Sequence, residues 1–226
     1  ELEARILLAH AARIEHTRVI GYPEDKLNSI TIGNLRKIVD RRKRGEPIAH
    51  IIGMKEFWSL NFNVTKETLI PRPDSETLIE SVLSMITNYL DPLSILDLGT
   101  GSGCLLLALL SELPNAKGIG IDISSSACQI AEKNSNDLGL SKRTKFHQGN
   151  WMDGIRDKFD FIISNPPYIA DSHIKFLDKE IRLFEPHKAL SGGPDGLSAY
   201  RLIAKESINH LKSNGILAVE IGINQK

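Results

Sequence analysis

Two short stretches of this chain bring together residue types able to hold a nucleoside and to orient an amide. The first is Asp97-Leu98-Gly99-Thr100-Gly101-Ser102-Gly103, an apolar segment that ends in alternating glycines and enters a helix-like run. Glycines let the backbone turn tightly and let a ligand press against it, while free amides at the helix start face that ligand. A glycine-rich loop alone is a weak signal, since it also serves simply as a tight turn. Asp122 adds to it by closing the next apolar segment about twenty residues on, where a carboxylate can accept hydrogen bonds from both hydroxyls of a ribose. The plainer role for Asp122 is to cap the following helix, but loop and acid in this order favour nucleoside binding. The spacing does not separate S-adenosylmethionine from a nicotinamide cofactor.

The second stretch, Ser164-Asn165-Pro166-Pro167-Tyr168, follows the apolar run Phe159 to Ile163. It therefore stands at a strand's carboxyl end, where open α/β sheets hold their ligands. Consecutive prolines belong to neither strand nor helix interior, so they fix a rigid, irregular backbone. An amide nitrogen is a poor nucleophile because its lone pair is delocalised into the carbonyl. If the Asn165 side-chain oxygen and the Pro166 carbonyl each accept one N–H, that pair is aimed at a methyl donor by orientation and fixed dipoles, without a general base. Tyr168 can pack its ring beside the planar amide or the cationic methyl group.

Elements must place these residues. From Glu1 to Arg44 apolar residues recur at helical spacing, broken at Gly21-Tyr22-Pro23 and ended at Gly45-Glu46-Pro47. Alternation over Glu56 to Val64 predicts a strand or hairpin, and Asp74 is expected to cap a helix running to about Tyr89. Beyond Pro92 strands alternate with helices, the pattern of a parallel sheet covered on both faces. Strands are predicted at 94–98, 118–122, 144–147, 159–163 and 215–220, with helices at Cys104 to Leu113, Ser125 to Leu138 and Leu197 to Leu211. The reading divides the chain into a helical substrate-docking domain over 1–55, a hairpin and linker over 56–73, and a catalytic domain over 74–226.

Asn-Pro-Pro-Tyr together with the Gly-Thr-Gly-Ser-Gly loop resembles the HemK/PrmC family of protein-(glutamine-N5) methyltransferases. The likeness extends to Gly45 through Gly53, Glu56-Phe57-Trp58, Leu69 through Glu76, Glu185 through Leu197, and Glu220-Ile221-Gly222. It implies a Rossmann-like class I fold with a small N-terminal helical domain. It implies S-adenosyl-L-methionine as methyl donor, S-adenosyl-L-homocysteine as product, and the glutamine of the Gly-Gly-Gln loop in peptide-chain release factors as acceptor. By that similarity Gly99, Thr100, Gly101, Ser102, Gly103, Asp122, Trp151 and Asn165 hold the cofactor. Asn165, Pro166 and Tyr168 are implied as catalytic and, with Pro167, as the substrate pocket, with Phe57 or Arg72 lining its approach. Asn150 stands where many relatives carry an acid near the adenine. The sheet of this class finishes with an antiparallel strand pair, and Glu220 through Lys226 stops before it, so C-terminal strands are expected to be missing.

Composition narrows the alternatives. With 28 basic and 28 acidic side chains the net charge is zero, unlike a protein that grips phosphate backbones. The chief rival, an adenine-N6 nucleic-acid methyltransferase, shares the Asn-Pro-Pro-Tyr chemistry but usually carries a basic excess and a target-recognition insertion. The run Arg41-Arg42-Lys43-Arg44 reads first as a helix end complementing the macrodipole, and second as a docking patch for the release factor. The two cysteines, Cys104 and Cys128, sit in apolar helix-like stretches as buried free thiols, and the seven histidines lack zinc-site spacing, so no metal is expected. No run is long enough to span a membrane, so no membrane contact and a cytoplasmic location are expected; a monomer without direct nucleic-acid contacts is a separate expectation.

Overall fold

The computed structural model describes residues 1–223 and 225; Asn224 and Lys226, in the segment Glu220 through Lys226 named above, lie outside the described residues. Helices α1 (Leu2–Ala12), α2 (His16–Gly21), α3 (Ser29–Lys43) and α4 (Ile48–Ile52) open the chain. The first break comes earlier than glycine or proline would place it. Arg13 takes the left-handed conformation at φ 55° and closes α1 through hydrogen bonds to Ala9 and His10. Helix α3 ends in Arg41, Arg42 and Lys43. Arg41 pairs with Glu46, and Arg42 bridges Glu3 on α1 to Glu180. Half of the basic run is thus engaged within the protein.

The hairpin pairs β1 (Met54–Phe57) with β2 (Leu60–Asn63). Its two turn residues, Trp58 and Ser59, have φ of 52° and 56° without being glycine. Carboxylates hold them there: Glu76 accepts from the Trp58 amide, and Glu56 from that of Ser59.

Asp74 does not cap a long helix. It lies in a tight turn, Pro73–Ser75, after which α5 covers Glu76–Ser84 and stops well short of Tyr89. Side chains compete for the backbone there: the Ser84 hydroxyl donates to the Ser81 carbonyl in the last turn, and beyond it the Asn88 side chain accepts from the Leu90 amide and donates to Asp91, offering the backbone a turn.

The catalytic core alternates β3 (Ser94–Leu98), α6 (Cys104–Glu112), β4 (Lys117–Asp122), α7 (Ser125–Asp137), β5 (Thr144–Gln148) and β6 (Phe159–Ser164). Short helices α8 (Asp171–Ile174) and α9 (Lys179–Phe184) lead to α10 (Ser198–His210) and β7 (Leu211–Val219), which starts four residues before the expected 215. The five strands are parallel in the order β5-β4-β3-β6-β7. Side chains alternate between two cores, as strand geometry requires. Ile95, Phe161 and Ile163 pack with α5 and α6 on one face; Leu96, Leu98 and Ile162 pack with Ile203 of α10 on the other. Helix α6 is buried throughout Leu105–Leu110, which is why its sequence is apolar all round. Close approach of α6 and its loop to the sheet needs missing side chains: a Cβ at Gly118 would stand 2.3 Å from Leu106 of α6, and one at Gly120 would stand 2.8 Å from Thr100 Oγ1 of the loop.

Candidate active site

Sheet register builds the site. Leu98 is paired with Ile121 on one side and Ser164 on the other, and Ser164 with Val219. Gly99, Asp122, Asn165 and Glu220 are each the next residue, so four strands deliver them at one level along the sheet's carboxyl edge. From β3 the chain winds outward through β4 and β5 on one side, then crosses to β6 and β7 on the other, and such a switch point between β3 and β6 leaves a crevice between the diverging loops. The Ser164 hydroxyl donates to the Leu98 carbonyl at 2.7 Å and ties the two loop bases together.

A cavity of about 810 Å³ opens there. Gly99, Thr100, Gly101 and Ser102 line one wall, Asp122, Asn150 and Trp151 another, and Asn165 and Pro167 a third. Asp122 is fixed by two backbone donors, the Gly101 and Ser124 amides, both at 2.9 Å. The cap of α7 is Ser124, not Asp122, since its hydroxyl accepts from the Ala127 amide. A carboxylate has about four lone-pair sites, so Asp122 retains acceptor capacity toward the cavity. Gly103 stands apart from the lining. It begins α6 at φ 80°, and a Cβ there would meet Ala131 and Leu107 at 3.1 Å, so its requirement is packing.

Beneath the loop lies Asp97, fully buried, with one oxygen accepting from Thr100 Oγ1 at 2.6 Å and the other without a partner among the described residues. Burial first, and the nearby Asp122 charge less, push its carboxyl up to about 7, against the Thr100 hydrogen bond. Cys104 is only partly buried and lines the cavity, a departure from the buried thiol expected there. Loss of hydration nonetheless pushes its thiol up to about 12, which keeps it protonated at neutral pH.

A second, smaller pocket of about 120 Å³ adjoins the first. Pro166 and Tyr168 line it, with Ile181 and Leu190 supplying apolar wall. Asn165 and Arg72 line both cavities. Pro167 faces only the large one, so the two prolines divide: Pro166 toward the small pocket, Pro167 toward the large. Phe57 does not line the approach. It is 1% exposed and stacks edge-on against Phe62 in the core, because alternation along β1 turns it inward. Three residues in or beside the site escaped the sequence reading in any chemical role: Ser75, Glu185 and Glu220. Only their place inside the quoted motif segments signalled them.

Residues 91–222 match the family described as methyltransferase domain, and residues 1–53 the family described as PrmC N-terminal domain. The release factor glutamine methyltransferase of Caulobacter vibrioides is 44% identical over 225 residues, spanning 99% of this chain and 78% of that protein. The chain belongs to the release factor glutamine methyltransferase family. The enzyme of the same description from Agrobacterium fabrum is 40% identical over 228 residues, spanning 100% and 79%. A crystal structure of a methyltransferase from Pyrococcus furiosus superposes with a TM-score of 0.53 at 18% identity, over 82% of this chain and 80% of that one, and shares the fold. The fold is therefore that of a class I, S-adenosylmethionine-dependent methyltransferase.

The residues present fit that cofactor. Gly99 lines the cavity at φ 71°, and a Cβ on it would meet nothing within 4 Å, so it would project into the open space. Ser102 lines the same space, and its Oγ is buried without a hydrogen-bond partner among the described residues.

Proposed function

We propose that this enzyme methylates the side-chain amide nitrogen of the glutamine in the Gly-Gly-Gln loop of peptide-chain release factors. The observation that carries the reading is Asn165 standing as the shared wall of the two cavities, one sized for a nucleoside and the other for the end of a side chain. S-adenosylmethionine supplies an electrophilic sulfonium methyl, and the amide nitrogen that takes it sheds one proton to solvent.

The chain's own residues orient and hold. The glycine loop and Asp122 bind the nucleoside end, and Trp151 offers an apolar face for the adenine. Asn165 Oδ1 and the Pro166 carbonyl each accept one N–H of the acceptor amide, which directs its lone pair toward the large cavity. Tyr168 closes the small pocket. Its phenol is pushed above the ordinary value by burial first and by Glu220 second, so it stays protonated. The N-terminal helices, as a docking domain over 1–55, fix the approach of the release factor. With Arg41 and Arg42 engaged in ion pairs, docking falls to Lys43, Arg44 and the exposed apolar residues Tyr22 and Ile30.

The zero net charge supports an enzyme that makes no direct nucleic-acid contact, and the reading is of a monomer acting in the cytoplasm beside its translation-factor substrate. Among the described residues no helix is long and apolar enough to cross a membrane. Incubation with labelled S-adenosylmethionine and a folded release factor, followed by mass spectrometry, tests the reading. Label is expected on the loop glutamine, none on a Gln→Glu factor, and none on DNA or RNA. Label on adenine with the factor untouched would reverse the assignment.

A further inference from the structure

An asparagine works in this site only if its oxygen, not its NH₂ group, faces the acceptor. Nothing in Asn165 itself sets that choice, since the two ends of a carboxamide have the same shape. Its neighbours do. Asn165 Nδ2 lies 3.1 Å from Ser75 Oγ, and that hydroxyl lies 2.5 Å from Glu220 Oε2. A hydroxyl has one proton, and a carboxylate oxygen only accepts. The Ser75 proton is therefore committed to Glu220, and the hydroxyl can only accept from Asn165. That forces Nδ2 toward Ser75 and leaves Oδ1 for the other side.

Glu220 is itself held. Its second oxygen accepts from the Tyr168 phenol at 3.3 Å, and its backbone carbonyl from the Tyr200 phenol at 2.9 Å. Ser75 is 3% exposed, which limits competition from water. The tight turn Pro73–Ser75 and the register that sets Glu220 level with Asn165 bring the three side chains together from distant parts of the chain.

We propose that Ser75, polarised by Glu220, is the positioning residue that fixes the Asn165 carboxamide with its oxygen toward the acceptor nitrogen. This rests on the amide-methylation reading above. An inverted Asn165 would set donor against donor, and the acceptor would lose one of its two orienting contacts.

The test compares the wild-type enzyme with Ser75→Ala, Ser75→Thr and Glu220→Gln. Single-turnover methyl transfer to the folded release factor is measured beside S-adenosylmethionine affinity by calorimetry. Hydrogen exchange of the Asn165 side-chain amide is followed by ¹⁵N-resolved NMR, its resonance assigned by loss in Asn165→Asp. Ser75→Ala is expected to slow transfer by about 10- to 100-fold, as loss of an orienting partner does, with cofactor affinity within about two-fold. Ser75→Thr keeps the hydroxyl and should restore both the rate and the slow amide exchange. Glu220→Gln can donate to Ser75, turn its proton toward Asn165 and invert the amide, so it should slow transfer while the protein stays folded. A Ser75→Ala rate within about two-fold of wild type, or Asn165 amide exchange indifferent to Ser75, overturns the proposal. Failure of the wild type to label glutamine would instead defeat the function assigned above, and the NMR measurement would still decide whether Ser75 holds Asn165.

Discussion

Arg72 pairs with Glu185, whose side chain is 1% exposed while that of Arg72 is 36% exposed. Arg72 also lines both cavities, so the guanidinium that shapes the site is anchored by a carboxylate behind it. Burial is the leading influence on Glu185 and raises its carboxyl above the ordinary value, with Arg72 opposing. A raised acid contributes its full stability below the unfolded-state value and loses it as pH rises through the folded-state one.

Arg72→Ala leaves that buried carboxylate without its cation. The expected cost is about 3 kcal/mol at neutral pH, the low end for a broken buried pair because Arg72 is partly solvated. The deficit should shrink as pH falls, since protonation removes the stranded charge. Thermal melts of wild type and variant across pH check this; a deficit constant with pH would mean that Glu185 is not the cause.

Asp97 gives a second pH signature. Its carboxyl, pushed up to about 7 by burial, should contribute stability that is complete below about 4 and is lost as pH rises through 7. The span corresponds to on the order of 4 kcal/mol for a fully buried group. Asp97→Asn should flatten this part of the stability profile in denaturant titrations of the ligand-free protein. Parallel profiles for the two proteins would place the Asp97 titration elsewhere.

Asp122→Ala removes the acceptor that also holds the Gly101 and Ser124 amides. S-adenosylmethionine binding should weaken by about 1.5 to 3 kcal/mol, the range for hydrogen bonds to a charged group. Calorimetry reads it directly. Unchanged affinity would remove Asp122 from the cofactor site.

Asn165→Ala should lower the transfer rate about 100- to 1,000-fold, as removal of one preorganised partner does, and affect cofactor binding far less. No side chain is asked to take a proton in the transfer step. The single-turnover rate at saturating cofactor should then not follow the titration of a histidine or carboxylate. Near-normal turnover of the variant would refute catalysis by orientation.

The sequence by itself determined the kind of fold and marked the segments that line the cavity. Glycines at 99, 101 and 103, the acid at 122 and the proline pair after Asn165 are signals written in consecutive residues, because backbone conformation and residue type are local properties. Strand and helix periodicity likewise reads from neighbours, which is why the core elements fell within a few residues of expectation. Local signals failed where a distant group decided the outcome. Trp58 and Ser59 turn left-handed because Glu76 and Glu56 accept their amides, and Phe57 points inward because its strand pairs in one register. The division of Pro166 from Pro167 between two cavities and the ion pair behind Arg72 were also beyond local pattern. So was the hydroxyl that joins Asn165 to Glu220 across 145 residues of chain between Ser75 and that carboxylate. These are relations of register and packing, set by which strands lie side by side, and no spacing along the sequence encodes them.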